Sequence, residues 1–442
     1  MEPAIVIGIT LILLVLFLLS GLYIHSVLFA CGIIGLIFLE GFDILPGLLG
    51  NEPFNRVASY TLTTIPLFVL MAQFILKADI VKDIFYLVHK VSRGRNGVLG
   101  VLTMVIGGLL GAVSGSGTAT AASLGQVAIP ELRRHGYSAP LAGAIAAAGG
   151  SLSGVIPPSI ILILYGVATE TPVGSLFIGS VIPGILCMLV FIAVMLMYYK
   201  LESKQLTAQN EVAAAVIGET HKVSRLKLVT VILISVVVML IIFAGIYSGV
   251  FTPTEAGAVG AFVGFIAALV LGKVNSNFIK ESVVETLRLT GMVMLIMIGA
   301  QIFGRFVSLS LLPRKLIELL EPIMDTPALV LVVISVVLFI MFMFIEGAAV
   351  ILMSIPVLLP IITAMNIDIL WFGVFVGVIC TIGLLTPPVG LSVYAVAGVS
   401  NIKLEPIFRI GMVFALAVLV VVCGLMIVFP ELATFLPNSM DS

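Results

Sequence analysis

Val155-Ile156-Pro157-Pro158-Ser159 and Leu385-Thr386-Pro387-Pro388-Val389 stand 230 residues apart. The same shift carries Gly117 onto Gly347, Ala119 onto Ala349, Val127 onto Val357, Pro130 onto Pro360 and Gly143 onto Gly373. The chain is two copies of one design. In each copy a small-residue or Glu-Gly interruption is followed, 41 residues on, by Pro-Pro. A proline removes a backbone donor and blocks the bond to the preceding turn, and it pushes the residue before it to extended backbone. Each Pro-Pro therefore breaks a helix and frees carbonyls: those of Gly154, Val155 and Ile156 in the first copy, Leu384, Leu385 and Thr386 in the second. In a bilayer such backbone is tolerated only inside protein or along a cavity. Breaks at matching points of two apolar halves point to a transporter's central site.

Composition places the chain in a membrane. Of its 442 residues, 61% are hydrophobic and 10% charged, with a mean hydropathy of +1.30, against about 25% charge in a soluble domain. No stretch is long and polar enough for a soluble domain. The net charge of −1 gives no footprint for a nucleic-acid partner. Cys31, Cys187, Cys380 and Cys423 sit singly in apolar runs and read as small core residues, not disulfides or a metal cluster. Met1-Glu2-Pro3 supplies no basic n-region, so the first apolar run reads as a retained helix.

About 20 apolar residues span a bilayer. In the first half the spans read 4–20, 24–40, 58–78, 97–134, 139–170 and 173–199, with a basic amphipathic segment at 80–93. In the second half they read 227–249, 254–272, 284–308, 327–364, 368–399 and 405–430, with an amphipathic segment at 313–323. The stretches 97–134 and 327–364 are too long for one span and are interrupted at Ser114-Gly115-Ser116-Gly117 and Glu346-Gly347. Basic residues flank both ends of the first, which suits two spans or one hairpin equally. The interruptions make poor lipid-exposed loops but good buried tips, so both stretches are read as re-entrant hairpins. Each half then contributes an odd number of crossings and the halves insert oppositely, as an inverted repeat. With Arg93 inside, only Arg56, Arg305, Arg314 and Lys315 of the 21 lysines and arginines fall outside. Both termini come out external; the first hairpin enters from the cytoplasm and the second from outside.

The motifs at these breaks suit ions. Gly115 and Gly117 permit positive φ and close backbone approach. The hydroxyls of Ser114, Ser116, Thr118 and Thr120, with freed carbonyls, are hard oxygen ligands for Na⁺. The helix beginning after the tip points its positive end at a carboxylate. Small-residue helix packing draws the same residue types, and the aligned Pro-Pro favours the site. Glu346 is an ionisable residue inside an apolar segment, which is costly and usually functional; it could bind a cation or cap the helix that starts at Gly347. Arg305 could hold a substrate carboxylate or snorkel to the interface. Phe251-Thr252-Pro253-Thr254-Glu255-Ala256-Gly257 reads as a capped helix start. No Gly-x-x-x-x-Gly-Lys-Ser/Thr occurs, so no P-loop ATPase is encoded. His25, His89, His135 and His221 fall near segment ends, which leaves no histidine base for a serine at the tip.

Taken together, Ser114–Ala121, the two Pro-Pro breaks, Thr64-Ile65-Pro66-Leu67-Phe68 and Gly249–Ala256 resemble the large membrane subunit, DctM-like or M-type, of tripartite ATP-independent periplasmic (TRAP) transporters. The likeness covers nearly the whole chain. The first tip and its Pro-Pro also resemble the Na⁺/dicarboxylate symporters, with glycine where those carry asparagine. The resemblance implies an all-α elevator-type transporter of the bacterial inner membrane that imports an organic acid on a Na⁺ gradient, sialic acid slightly favoured and a C4-dicarboxylate next. It implies a small four-helix Q-type membrane subunit and a periplasmic P-type binding protein as partners. It also implies a division into first-repeat scaffold helices (1–79), an amphipathic arm (80–96), the first hairpin and broken helix (97–170), a closing helix (171–199) and a cytoplasmic linker (200–226). The second repeat follows as scaffold helices (227–308), an arm (309–326), the second hairpin and broken helix (327–399) and the last helix and tail (400–442). The elements 97–170 and 327–399 form the transport domain.

On that basis Na⁺ is expected at Ser114, Gly115, Ser116, Gly117 and Thr118 with Gly154, Ile156 and Pro157. A second Na⁺ is expected at Glu346, Gly347 and Ala348 with Leu385, Thr386 and Pro387. Ser116, Thr118, Thr120, Ser159, Thr386 and Arg305 are the expected substrate contacts. A stand-alone Na⁺/carboxylate symporter is the first alternative and an intramembrane serine hydrolase a remoter one. An ABC-type permease is disfavoured because Glu255 falls outside.

Overall fold

The computed structural model describes residues 2–78, 96–206, 237, 240 and 244–440. The amphipathic segment expected at 80–93, nearly all of the linker beyond Leu206 and most of the span expected at 227–249 lie outside these residues. Among the described residues all regular structure is helical, and seven helices are long and apolar enough to cross a membrane.

The duplication seen in sequence recurs in position at the helix ends. The first hairpin is Asn96–Ser114 and Gly117–Arg134; the second is Pro327–Phe344 and Gly347–Ala364. Behind each stands a broken helix, Ala139–Ser151 with Ile160–Thr169 and Ile369–Gly383 with Leu391–Ser400. Ser138 accepts from the Leu141 amide at 3.2 Å, and its counterpart 230 residues on, Asp368, accepts from the Trp371 amide at 2.7 Å. These side chains satisfy amides that a helix start leaves unpaired. Gly136 and Asn366, again 230 apart, both take positive φ in the turns between hairpin and broken helix. Both Pro-Pro bonds, Pro157-Pro158 and Pro387-Pro388, are cis. The chain is thus an all-α polytopic membrane protein built as an inverted repeat, with two hairpins and two Pro-Pro-broken helices.

Packing gathers the helices into two groups. The hairpins and broken helices form one, held by backbone contact that only glycine allows: a Cβ at Gly107 would stand 2.6 Å from Gly149 Cα, and one at Gly150 would stand 2.5 Å from the Ala121 nitrogen. Small residues of this kind are the usual glue where apolar burial offers no preference over lipid. Every residue of Leu141–Ser151 is buried there. In the other group Ile24–Glu40 lies along Ser276–Leu309, with Gly32 against Phe303 and Gly35 against Phe306. Thr64–Lys77 lies along Pro253–Val270, where the Thr64 and Thr254 hydroxyls share a buried 2.7 Å hydrogen bond.

Several boundaries differ from expectation, for local reasons. The helix expected at 284–308 begins at Ser276, because Asn275 caps it by accepting from the Phe278 amide at 2.8 Å. The closing helix expected at 173–199 is two, Val173–Gly179 and Val181–Leu206, and the second runs into the segment expected to be linker. Two short helices rich in Pro and Gly or near the terminus, Leu45–Val57 and Glu431–Asn438, were not expected; the second packs on Gly179, its Ala433 carbonyl 2.6 Å from where a Cβ would be.

Gly150→Ala should cost about 1–3 kcal/mol by overpacking and lower the thermal unfolding midpoint of the detergent-purified protein. Gly8→Ala, where nothing lies within 4 Å of the added carbon, should leave it unchanged or slightly raised. Equal midpoints for the two variants would contradict the packing described.

Candidate functional site

Both hairpin tips and both helix breaks open onto one cavity of about 280 Å³. Gly115, Ser116, Gly117 and Thr118 line it from the first tip, and Glu346, Gly347 and Ala348 from the second. Ser153, Gly154, Ile160 and Ile161 of the first broken helix and Cys380, Leu384 and Leu391 of the second complete the inner wall. Ile65, Val69, Leu289, Met292 and Val293 close it from the other helix group. The tips thus end at the depth of the breaks, inside protein, which settles the choice between hairpins and paired full spans.

The first tip is rich in oxygen. Gly115 takes a φ of +60° and turns the chain between the two helices. Ser116 caps the second of them, its Oγ accepting from the Ala119 amide at 3.4 Å, and lies 3.3 Å from Thr118 Oγ1. Ser114 Oγ pairs with Thr120 Oγ1 just behind the wall. Facing the tip are groups that the sequence reading passed over. A Cβ at Gly117 would lie 3.2 Å from Ser153 Oγ and 3.5 Å from the Gly150 carbonyl, and one at Gly115 would lie 3.6 Å from the Pro158 carbonyl. Ser153 is buried against this cavity, and its hydroxyl makes no hydrogen bond among the described residues. Its signal in sequence was its place four residues before Pro157.

The second tip differs. Glu346 stands 230 residues after Ser116 and takes the same capping place, its Oε2 accepting from the Ala348 amide at 3.1 Å. A carboxylate at a helix N-terminus also gains from the helix dipole. Its neighbours are poor in oxygen: a Cβ at Gly347 would meet Cys380 Sγ and Ile161 Cδ1, each at 2.8 Å.

Not every expected ligand reaches the cavity. Ser159 lies buried behind it, donating to the Gly154 carbonyl at 2.9 Å, so one lone pair of that freed carbonyl is already used. Ile156 packs outward, against Gly108 and Gly184, and Pro157 is absent from the wall. In the second break the Leu385 carbonyl faces Gly411, where a Cβ would lie 2.9 Å away. Thr386 Oγ1 donates to the Gly383 carbonyl at 2.9 Å, and neither Thr386 nor Pro387 lines the cavity. Some carbonyls at each break are taken by neighbouring groups, Gly154 by the Ser159 hydroxyl, Gly383 by the Thr386 hydroxyl and Leu384 by the Ser392 amide, so fewer stay free than counting prolines suggests. Arg305 is also displaced. It lines a separate pocket of about 300 Å³ with Gln301, Gly304, Ser308, Leu352 and Pro356.

Residues 11–432 match the family model described as "Tripartite ATP-independent periplasmic transporter, DctM component". The chain belongs to this family. Among curated TRAP proteins it is 32% identical over 389 residues to the sialic acid TRAP transporter large permease protein SiaM of Vibrio cholerae, covering 88% of each chain. It is also 32% identical over 391 residues to the C4-dicarboxylate TRAP transporter large permease protein DctM of Pseudomonas aeruginosa, covering 88% of this chain and 89% of that one. Its fold is similar to the crystal structure of the Alcanivorax borkumensis YdaH transporter, with a TM-score of 0.66 and 16% identity, over 99% of this chain and 100% of that one. The membership makes the chain a membrane-embedded transporter component. Neither histidine nor lysine lines the cavity among the described residues.

Glu346→Ala should remove the cap on the Ala348 amide, costing about 1 kcal/mol. Hydrogen exchange at the amides of Gly347–Val350 should accelerate while that at Thr118–Ala121 stays as in the parent. Unchanged exchange at the second tip would show that Glu346 does not cap it.

Proposed function

We propose that this chain is the large permease of a Na⁺-driven TRAP importer of an organic acid. The observation that carries the reading is the single cavity shared by both tips and both breaks. One Na⁺ is assigned to the first tip, held by the Ser116 and Thr118 oxygens and the backbone of Gly115 and Gly117, with Ser153 and the Gly154 and Pro158 carbonyls opposite. A second cation is assigned to Glu346 and the Gly347–Ala348 backbone. Each ion pins a tip to its broken helix. The substrate carboxylate lies between the tips, where the helices beginning at Gly117 and Gly347 both point their positive ends. Arg305, in its own pocket, is assigned to the substrate's approach and not to the central site.

The two helix groups are assigned elevator roles: 97–170 and 327–399 move, and the helices at 1–79 and 227–308 stay. The family description as one component of a tripartite system supports partners, here a small Q-type membrane subunit and a periplasmic P-type binding protein. The exposed apolar side chains of Ile12, Leu16, Leu19, Leu287 and Leu295 offer surface for that subunit and for lipid. The chain is placed in the bacterial inner membrane with both termini periplasmic, on the distribution of its basic residues. Sialic acid is the first substrate to test and a C4-dicarboxylate the second, because relatives named for each are equally similar.

The test is uptake into ATP-free proteoliposomes holding the chain, its small subunit and an inward Na⁺ gradient, with and without binding protein. Uptake of one labelled acid that needs both Na⁺ and binding protein is expected. Uptake independent of the binding protein would instead establish a self-sufficient symporter. Thr118→Ala should raise the Na⁺ concentration for half-maximal uptake about tenfold, the loss of one ion-oxygen contact; an unchanged value would remove the first tip as an ion site.

A further inference from the structure

A third cavity, of about 720 Å³, opens beside the Thr64–Thr254 hydrogen bond. One wall is Ser59–Thr61 with Thr64 and Phe251–Thr254; the other is Gly166–Val167 and Glu170–Ser175, which end the first broken helix and begin the next. The first wall belongs to one helix group and the second to the other. The lining carries free polar groups: the hydroxyls of Ser59, Tyr60, Thr61 and Ser175 and the carboxylate of Glu170 make no side-chain hydrogen bond or ion pair among the described residues. No lysine, arginine or histidine lines it among those residues. Glu170 is held there by its backbone, since it ends the helix Ile160–Thr169 in the left-handed region at φ 60°.

This cavity and the Arg305 pocket lie on either side of the same helix end. Val167 and Glu170 face one; Ala168 faces the other. Neither shares a lining residue with the tip cavity, but neighbouring residues of the same helices line both. On the Glu170 side, Thr64 lines the outer cavity while Ile65 and Val69 line the tip cavity. On the Arg305 side, Met297 lines the outer pocket while Val293 lines the tip cavity. Arg305 has no acidic partner among the described residues. One approach thus presents a lone negative charge among hydroxyls, and the other a lone positive charge.

We infer that Glu170 marks an external cation-collecting site, through which Na⁺ reaches the tips by a path separate from that of the organic anion. A cleft of one charge sign concentrates its counterion, and hydroxyls with one carboxylate suit a partly hydrated alkali cation. The inference rests on the sodium-driven reading above and on the orientation that puts Glu170 outside.

Glu170→Asn removes the charge while keeping a residue that tolerates left-handed backbone, and Glu170→Asp keeps the charge. In reconstituted uptake at low ionic strength, Glu170→Asn should raise the half-saturating Na⁺ concentration about three-fold, as loss of one nearby charge in water would. The substrate KM should stay unchanged, and the effect should vanish at high background choline chloride. The Na⁺-induced shift of the thermal midpoint in detergent should match the parent, because the tip sites are intact. Glu170→Asp should behave as the parent, and Arg305→Gln should show the reverse pattern, raising the substrate KM alone. An unchanged Na⁺ dependence in Glu170→Asn, or the same shift in Glu170→Asp, would overturn the inference while leaving the tip sites standing. Parent uptake indifferent to Na⁺ would overturn the sodium reading and this inference together.

Discussion

A backbone amide or carbonyl without a partner inside a bilayer costs several kcal/mol, and this chain interrupts four helical elements at membrane depth. The rest of the architecture answers that constraint. At the first break Ser159 donates to the Gly154 carbonyl; at the second, Thr386 donates to the Gly383 carbonyl, the Ser392 amide to Leu384 and the Val389 amide to Met343. The tips are enclosed by the breaks, and the breaks are enclosed by helices brought into backbone contact at Gly107, Gly149 and Gly150. Both tips and both breaks border the same cavity, so the polar groups they leave facing inward share one enclosed space.

The two halves share geometry but not chemistry. Capping positions 116 and 346 are equivalent, yet one is a serine at a tip faced by the Thr118 and Ser153 hydroxyls and the other a carboxylate at a tip faced by a thiol and an isoleucine side chain. Duplication therefore fixes where ligands stand, while substitution fixes what they hold. A neutral oxygen cluster leaves a bound cation's full charge for a neighbouring carboxylate; a carboxylate site neutralises it. The two tips are thus unequal in charge, one built from neutral oxygens and the other around a carboxylate.

The two helix groups meet along a surface of a different kind from their interiors. Inside each group glycines let backbones touch. Between them lie the tip cavity and two outer pockets, bordered by side chains such as Thr64, Met297 and Leu352. Voids along a boundary forfeit dispersion contacts, so the two groups pack less closely here than where glycines bring backbones together.

The membrane setting, the duplication, the hairpin tips and the broken helices were all legible in the sequence, because each follows from local rules: apolar length, proline's missing donor, glycine's freedom and a fixed repeat spacing. The turn at Gly115, Ser116, Gly117 and Thr118 was legible for the same reason. The opposing wall was not. Which carbonyls of a Pro-Pro turn stay free depends on which neighbouring group reaches them: those of Gly154 and Leu384 are taken by the Ser159 hydroxyl and the Ser392 amide, Ile156 and Leu385 pack against glycines away from the tip, and Ser153 and Pro158 face it. Arg305 and Glu170 are the same case at longer range. Their charges are plain in the chain, but their assignment to two cavities on either side of one helix end is a matter of how helices far apart in sequence pack, which no local spacing encodes.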